Sequence, residues 1–248
     1  MLGVIGGSGL SVLANLEGVR REIVRTPYGE PSCALTFGTL RGREVVFLAR
    51  HGYGHTIPPH QVNYRANLWA LRSQQVNDVV AIASVGAIRD DLMPGALVVP
   101  HQILDYTHGR ESTFATGADH GVLHIDFTDP YCQKLRRRIL EAAAEAGHHA
   151  ADGATYAATQ GPRLETAAEI DRLERDGADV VGMTGMPEAA LARELELCYA
   201  ALAVVVNAAA GRGASTRGIR MEEINAISKL AMEHVRSTLE RLVEIDGD

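Results

Sequence analysis

The sequence predicts an α/β fold, one domain with helices on both faces of a sheet, on three observations. Short apolar runs punctuated by Gly and Pro alternate with amphipathic stretches along the 248 residues. Several of those runs are continuous Val, Ile and Ala, the pattern of strands buried on both sides. Amphipathic stripes at steps of three and four mark helices that pack on a core.

Strands are expected at Gly3–Gly6, Val45–Ala49, Val79–Ser84, Ala96–Val99, Thr155–Ala158, Val180–Met183 and Cys198–Val206. Asn63 is a good cap for a helix over Tyr64–Gln75, with Leu68 and Leu71 on one side. Pro130–Ala146 carries Leu135, Ile139, Leu140 and Ala143. Glu222–Val243 places Ile224, Ile227, Leu230, Ala231, Val235, Leu239 and Leu242 on a core stripe. No repeat, low-complexity tract or long linker divides the chain, so residues 1–248 read as a single domain.

Composition narrows the function classes. With 46% hydrophobic and 22% charged residues the chain reads as globular, and its length is enough to bury a large core without staples. A net charge of −7 without a Lys/Arg block speaks against a nucleic-acid groove. Cys33, Cys132 and Cys198 are odd in number and far apart, which fits a reducing compartment better than a disulfide framework. Residues 1–13 have no basic region ahead of an apolar one. The run Cys198–Ala210, broken by Asn207, is shorter than the roughly 20 residues that span a bilayer. The expectation is a cytoplasmic protein with no membrane partner.

Six strand ends carry residues suited to a small anionic ligand. Gly6-Gly7-Ser8-Gly9 follows a strand, and glycines there let backbone N–H groups and the Ser8 hydroxyl converge on an anion. It is neither a P-loop nor GxGxxG, and a plain tight turn uses the same residues. Arg50 and His51 offer donors for a phosphate or carboxylate. His51, His55 and His60 invite a zinc reading, but the intervening Gly and Pro residues and the missing Cys or carboxylate oppose it, so no metal is expected. Ser84 and Gly86 end a third strand in small residues. Glu165 follows Gly161-Pro162-Arg163, where it either caps a helix or meets a ligand. Met183-Thr184 and Asn207 complete the set, the latter an amide that needs partners from a turn or a ligand.

Taken in order, these segments resemble the trimeric nucleoside phosphorylases, the family of purine nucleoside and methylthioadenosine phosphorylases. The resemblance runs from Gly3 to about Val243. It rests on Ile5-Gly6-Gly7-Ser8-Gly9-Leu10, Thr26-Pro27-Tyr28-Gly29, Leu48-Ala49-Arg50-His51-Gly52 with His55-Thr56-Ile57, Val62-Asn63-Tyr64, Gly161-Pro162-Arg163 and Met183-Thr184. It implies a central mixed sheet flanked by helices and phosphorolysis of a purine nucleoside. Inorganic phosphate is then the co-substrate, with no cofactor. The resemblance assigns phosphate binding to Ser8, Arg50, His51, Ser84 and Thr184. It assigns the base to Leu164, Glu165 and Asn207, and the ribose and its 5′ group to Met183, His55, His124, Met221 and Ile224. Arg50, His51 and Asn207 are the catalytic set: phosphate meets the developing ribosyl cation and a hydrogen bond at N7 stabilises the leaving base. His124 is expected to reach a neighbour's site, which implies a homotrimer or dimer of trimers.

Two branches of that family meet in this chain. His55-Thr56-Ile57-Pro58-Pro59 and Val62-Asn63-Tyr64 are similar to the methylthioadenosine branch. Asn207 and Ala209, however, stand where that branch usually carries two aspartates. A carboxylate accepts hydrogen bonds only, so Glu165 fits N1–H of a 6-oxopurine and opposes N1 of adenine. The implied substrate is 5′-methylthioinosine, cleaved to hypoxanthine and 5-methylthioribose 1-phosphate. Alternatives are a methylthioadenosine phosphorylase, a broad inosine and guanosine phosphorylase, a water-using hydrolase and a non-catalytic nucleoside sensor. Three positions depart from the family pattern: Leu164 replaces a stacking aromatic, Gly185 stands where many relatives have a hydroxyl, and Ala209–Gly213 has no assigned role.

Overall fold

The computed structural model describes residues 1–117 and 121–245. At its centre β5 (Asp78–Ala87) pairs with three strands. β1 (Leu2–Gly6) runs parallel to its first half, and β11 (Cys198–Ala208) runs parallel along its other edge. β10 (Val180–Gly182) runs antiparallel to its end, with Val181 opposite Gly86. β4 (Arg43–Ala49) lies beside β1 and is followed outward by β3 (Leu35–Leu40) and β2 (Glu17–Glu22). Beyond β10 come β9 (Thr155–Thr159) and β7 (Gln102–Tyr106); β6 (Leu97–Val99) and β8 (Ala150–Asp152) branch from β11. The sheet is mixed, as the family resemblance implied.

β5 shows why its sequence is a continuous apolar run. Val79, Ala81, Ala83 and Val85 face one core, which also holds Leu68 and Leu71 of α1 (Tyr64–Ser73) and Ala189 and Leu191 of α4 (Gly185–Glu194). Val80 and Ile82 face the opposite core. There they meet Leu135 and Ile139 of α2 (Gln133–Glu145) and Val235 and Leu239 of α5 (Met221–Ile245). Each such fully buried Val, Leu or Ile contributes about 1.5–3 kcal/mol. α3 (Ala167–Arg175) packs Ile170 and Leu173 onto Ala157 and Val181.

The seven expected strands and three expected helices are present, with ends shifted by up to three residues. Asn63 caps α1, its Oδ1 accepting from the Ala66 N–H at 3.1 Å. The expectations missed β2, β3, β7, β8 and α4. β2 is exposed throughout and charged, as edge strands are when they must resist pairing with another chain, so no apolar run announces it.

Two expectations need correction, and one unassigned stretch is placed. Cys132 and Cys198 form a disulfide, with Cα atoms 5.1 Å apart. They are 66 residues apart in sequence, but the Cys132 N–H donates to the Tyr199 carbonyl, which brings the start of α2 beside the start of β11. Only Cys33 is a free thiol. Leu230, placed by periodicity on the core stripe of α5, is 66% exposed: it stands about 100° round the helix from the buried Ala231, at the solvent edge of the stripe, and does not line the cavity. Ala209–Gly213 is tied down: the Arg212 guanidinium bonds Asp171 and Glu174 of α3, and the Ala209 N–H donates to Ala87. No helix among the described residues is long and apolar enough to cross a membrane.

Candidate active site

The site lies where the sheet changes partners. β1 leaves β5 after the Ile5–Ala81 pair, and β10 joins only at Gly86, so Ile82–Val85 has no strand on that edge. β1 and β10 run toward each other along it, and the Gly7–Gly9 loop and the Met183–Thr184 turn therefore meet across the gap. The Ile82 carbonyl points into the gap, since it accepts from Arg50 Nη1 at 2.9 Å. Peptide groups two residues apart in a strand face the same edge, so the Ser84 N–H is offered there as well. Gly7 is required by this crowding, because a Cβ on it would sit 2.4 Å from the Ile82 oxygen. A cavity of about 1040 Å³ opens at the gap, and all six strand ends singled out from sequence line it.

Arg50 is 1% exposed and is gripped by Glu188 of α4, which is equally buried. Its Nε and Nη2 donate to the two carboxylate oxygens at 2.6 and 2.7 Å, and the Tyr199 hydroxyl donates to Glu188 Oε1 at 2.8 Å. Burial works against the Arg50 charge; the Glu188 carboxylate outweighs it and holds the guanidinium pKa above its ordinary range. A guanidinium has five N–H groups; three are used, leaving one on each terminal nitrogen for a ligand. Glu188 and Tyr199 were not found from sequence. The signal available was a lone carboxylate after Met186-Pro187 in an otherwise apolar stretch.

His51 is neutral at pH 7. Burial, with the charge of Arg50 adding to it, pushes its pKa down to about 4. Its Nδ1 lies 2.8 Å from the Ile57 carbonyl, an acceptor only, so Nδ1 carries the proton and Nε2 presents a lone pair. Ser8 Oγ lies 3.5 Å from His55 Nε2, and the His51 and His55 rings are 4.7 Å apart. His55 has φ +50°, in a turn closed by its N–H donating to the Gly52 carbonyl at 3.1 Å.

Also in the cavity wall, Glu165 Oε1 accepts from Thr159 Oγ1 at 2.6 Å. The cap of α3 is formed instead by Thr166 and Glu169, so capping does not account for Glu165. Asn207 stands at a bulge in the β11–β5 pairing, and its Nδ2 donates to the Ala208 carbonyl at 2.6 Å. That orientation leaves Oδ1 as an acceptor with no donor among the described residues. Met183 also lines the cavity, approached so closely by Gly161 that a Cβ there would be 2.4 Å from its sulfur. Arg110, also missed from sequence, ties this region together. Its guanidinium donates to the carbonyls of Met183 (2.8 Å), Met186 (2.6 Å), Thr159 (3.2 Å) and Gln160 (2.8 Å).

Leu164, Met221 and Ile224 also line the cavity. His124 does not line it; it is exposed in the stretch that follows Gly121. Gly185 is explained by packing, since a Cβ there would lie 2.8 Å from Ile103 Cδ1 and 3.0 Å from Tyr156 Cε1, leaving no room for a hydroxyl-bearing side chain.

Comparison with known proteins agrees with this geometry. The chain matches the phosphorylase superfamily over residues 1–244. It is 52% identical over 241 residues to a probable S-methyl-5′-thioinosine phosphorylase of Pseudomonas syringae pv. tomato, covering 97% of each chain. It is 48% identical to a probable 6-oxopurine nucleoside phosphorylase of Thermococcus kodakarensis, covering 85% of this chain and 80% of that one. Among solved structures, methylthioadenosine phosphorylase from Schistosoma mansoni in complex with adenine superposes with a TM-score of 0.94 at 33% identity, covering 99% of this chain and 91% of that one. With a sheet that parts at β5 and a match running from residue 1 to residue 244, this chain belongs to the phosphorylase superfamily.

Proposed function

We propose that this enzyme splits the N-glycosidic bond of 5′-methylthioinosine with inorganic phosphate, releasing hypoxanthine and 5-methylthioribose 1-phosphate. Phosphate occupies the gap at Ile82–Val85, held by Ser8, Arg50, the Ser84 backbone and Thr184. The neutral His51 Nε2 accepts a hydrogen bond from a protonated phosphate oxygen. Loss of the base leaves positive charge on the ribose over Met183, and a phosphate oxygen in line with the breaking bond captures it. The electrons of that bond go to the purine, whose N7 takes a proton from solvent water and donates to Asn207 Oδ1. His55, Met221 and Ile224 surround the methylthio group. No metal or organic cofactor takes part in this scheme.

The observation that supports the 6-oxopurine reading is Glu165, a carboxylate in the cavity wall that accepts from Thr159 and that this reading sets beside the base. It accepts from N1–H of hypoxanthine and has nothing to donate to N1 of adenine. The names of the two relatives point the same way. A homotrimer or dimer of trimers, in which His124 enters a neighbour's site, belongs to the same reading, and a monomer in sedimentation would remove it.

The test is chromatography of the free base after incubation with 5′-methylthioinosine, 5′-methylthioadenosine or inosine, each with and without phosphate. Phosphate-dependent hypoxanthine release, fastest from 5′-methylthioinosine, is expected. Faster adenine release would overturn the base assignment, faster release from inosine the sugar assignment, and no turnover the enzyme reading. In Glu165→Gln the loss of a charged acceptor should lower kcat/KM for 5′-methylthioinosine by about 10²-fold.

A further inference from the structure

The cavity does not end at the wall around the 5′ position. It continues along one face of α5, past Met221 and Ile224, to Asn225, Ser228, Lys229, Met232, Glu233 and Arg236. These positions follow steps of three and four, so a single helix face borders the space for about 22 Å, from the 1.5 Å rise per residue. The Gly9 loop touches that face at Ser228 and Met232, where a Cβ on Gly9 would lie 2.5 Å from Ser228 Oγ, and the cavity continues beyond the contact to Ser11.

The chemistry of the wall changes along its length. Met221 and Ile224 are apolar, as a methylthio group requires. Farther on, Lys229, Glu233 and Arg236 bring two cations and one anion to the same side. Among the described residues neither Lys229 nor Glu233 has an ion-pair partner, and the buried Arg236 Nε has no acceptor. A methyl group needs none of this. Side chains on a helix lean toward its N-terminus, so Lys229 and Glu233 lean back toward Ile224. Their Cα atoms lie about 7.5 and 13.5 Å along the axis from Ile224. A substituent of three or four carbons on the 5′ sulfur therefore ends among a cation and an anion, the complement of an α-amino-acid zwitterion.

We infer that the site also accepts 5′-thioinosines whose sulfur carries a short chain ending in an amino-acid group, with the carboxylate at Lys229 and the ammonium at Glu233. This rests on the 5′-methylthioinosine reading above. The reaction is unchanged, since phosphate displaces hypoxanthine and the 5′ substituent stays on the sugar.

The test compares kcat/KM for hypoxanthine release from three 5′-thioinosines, bearing S-methyl, S-propyl and S-(3-amino-3-carboxypropyl) groups, in the wild-type enzyme, Lys229→Met and Glu233→Gln. The wild type should use the amino-acid substrate within about tenfold of the S-methyl one. Each substitution should lower that value by about tenfold while leaving S-methyl and S-propyl within about twofold, the pattern of a lost contact to the tail alone. A deficit of more than about tenfold for the amino-acid substrate in the wild type overturns the inference. So do variants that affect the three substrates alike. Turnover of the S-methyl compound with rejection of the zwitterion would remove this inference only, whereas no turnover of any of the three would remove the parent reading with it.

Discussion

Replacing Glu188 with glutamine takes the countercharge from a guanidinium that solvent does not reach. Glu188 and Arg50 are each 1% exposed, and the carboxylate accepts three hydrogen bonds, two from Arg50 and one from Tyr199. Glutamine keeps one acceptor oxygen, and its amide turns donors toward a donor. Breaking one side of such a buried pair costs about 3–5 kcal/mol. At about 2–4 °C per kcal/mol for a chain near this size, Tm should fall by about 10 °C. Arg50 then keeps the Ile82 carbonyl and a single neutral amide oxygen in place of the carboxylate, so kcat/KM for phosphate should fall by about tenfold or more, and that for the nucleoside at saturating phosphate by less. Tyr199→Phe, which removes one bond to the same carboxylate, should cost about 2 kcal/mol and serves as the graded comparison. Thermal melts and initial rates at varied phosphate provide the readouts. A Glu188→Gln enzyme with wild-type Tm and wild-type phosphate dependence would refute the idea that this ion pair orients Arg50.

Arg110→Met should raise the nucleoside KM more than the phosphate KM and cost about 2–4 kcal/mol in urea unfolding, because it strips donors from the Met183 and Met186 carbonyls, in the turn proposed above to carry the ribose. His51 predicts a pH dependence. Its folded pKa, about 4, lies below the unfolded value near 6.5, so the unfolded chain takes up a proton first and stability falls as pH drops through that window. The contribution is about 3 kcal/mol, and His51→Asn should show a correspondingly flatter stability profile between about pH 6.5 and 4. Gly185→Ser should lower stability by about 1–3 kcal/mol, read as a drop in Tm, because its side chain collides with Ile103 and Tyr156.

The elements legible in the sequence are those whose residues are apolar for a single reason. β5 and β11 are buried on both faces and read as continuous runs; α1 and α2 show their buried stripes. β2 carries no apolar signal because it is an edge, and α4 was missed because its residues are buried nearly all round and leave no polar face to set the period. Leu230 kept the helical period but lost the core, because periodicity reports which residues share a face and not where solvent meets its edge.

The candidate site divides in the same way. Ser8, Arg50, His51, Glu165, Met183 and Asn207 were identifiable because each is a residue of defined chemistry at the end of a strand, where short-range pattern and family resemblance coincide. Their shared cavity depended on β1 and β10 running toward each other beside β5, each pairing with a strand more than 70 residues away in sequence. The partners that set their states come from still other parts of the chain: Glu188 for Arg50, Thr159 for Glu165, and Arg110 for the Met183 turn. Hydrogen-bonding capacity and charge belong to residue type, and the sequence by itself determined which groups were available. Which donor meets which acceptor, which histidine loses its proton to burial, and which cysteines lie within bonding distance depend on separations of a few ångströms between distant segments, and only the tertiary structure decided those.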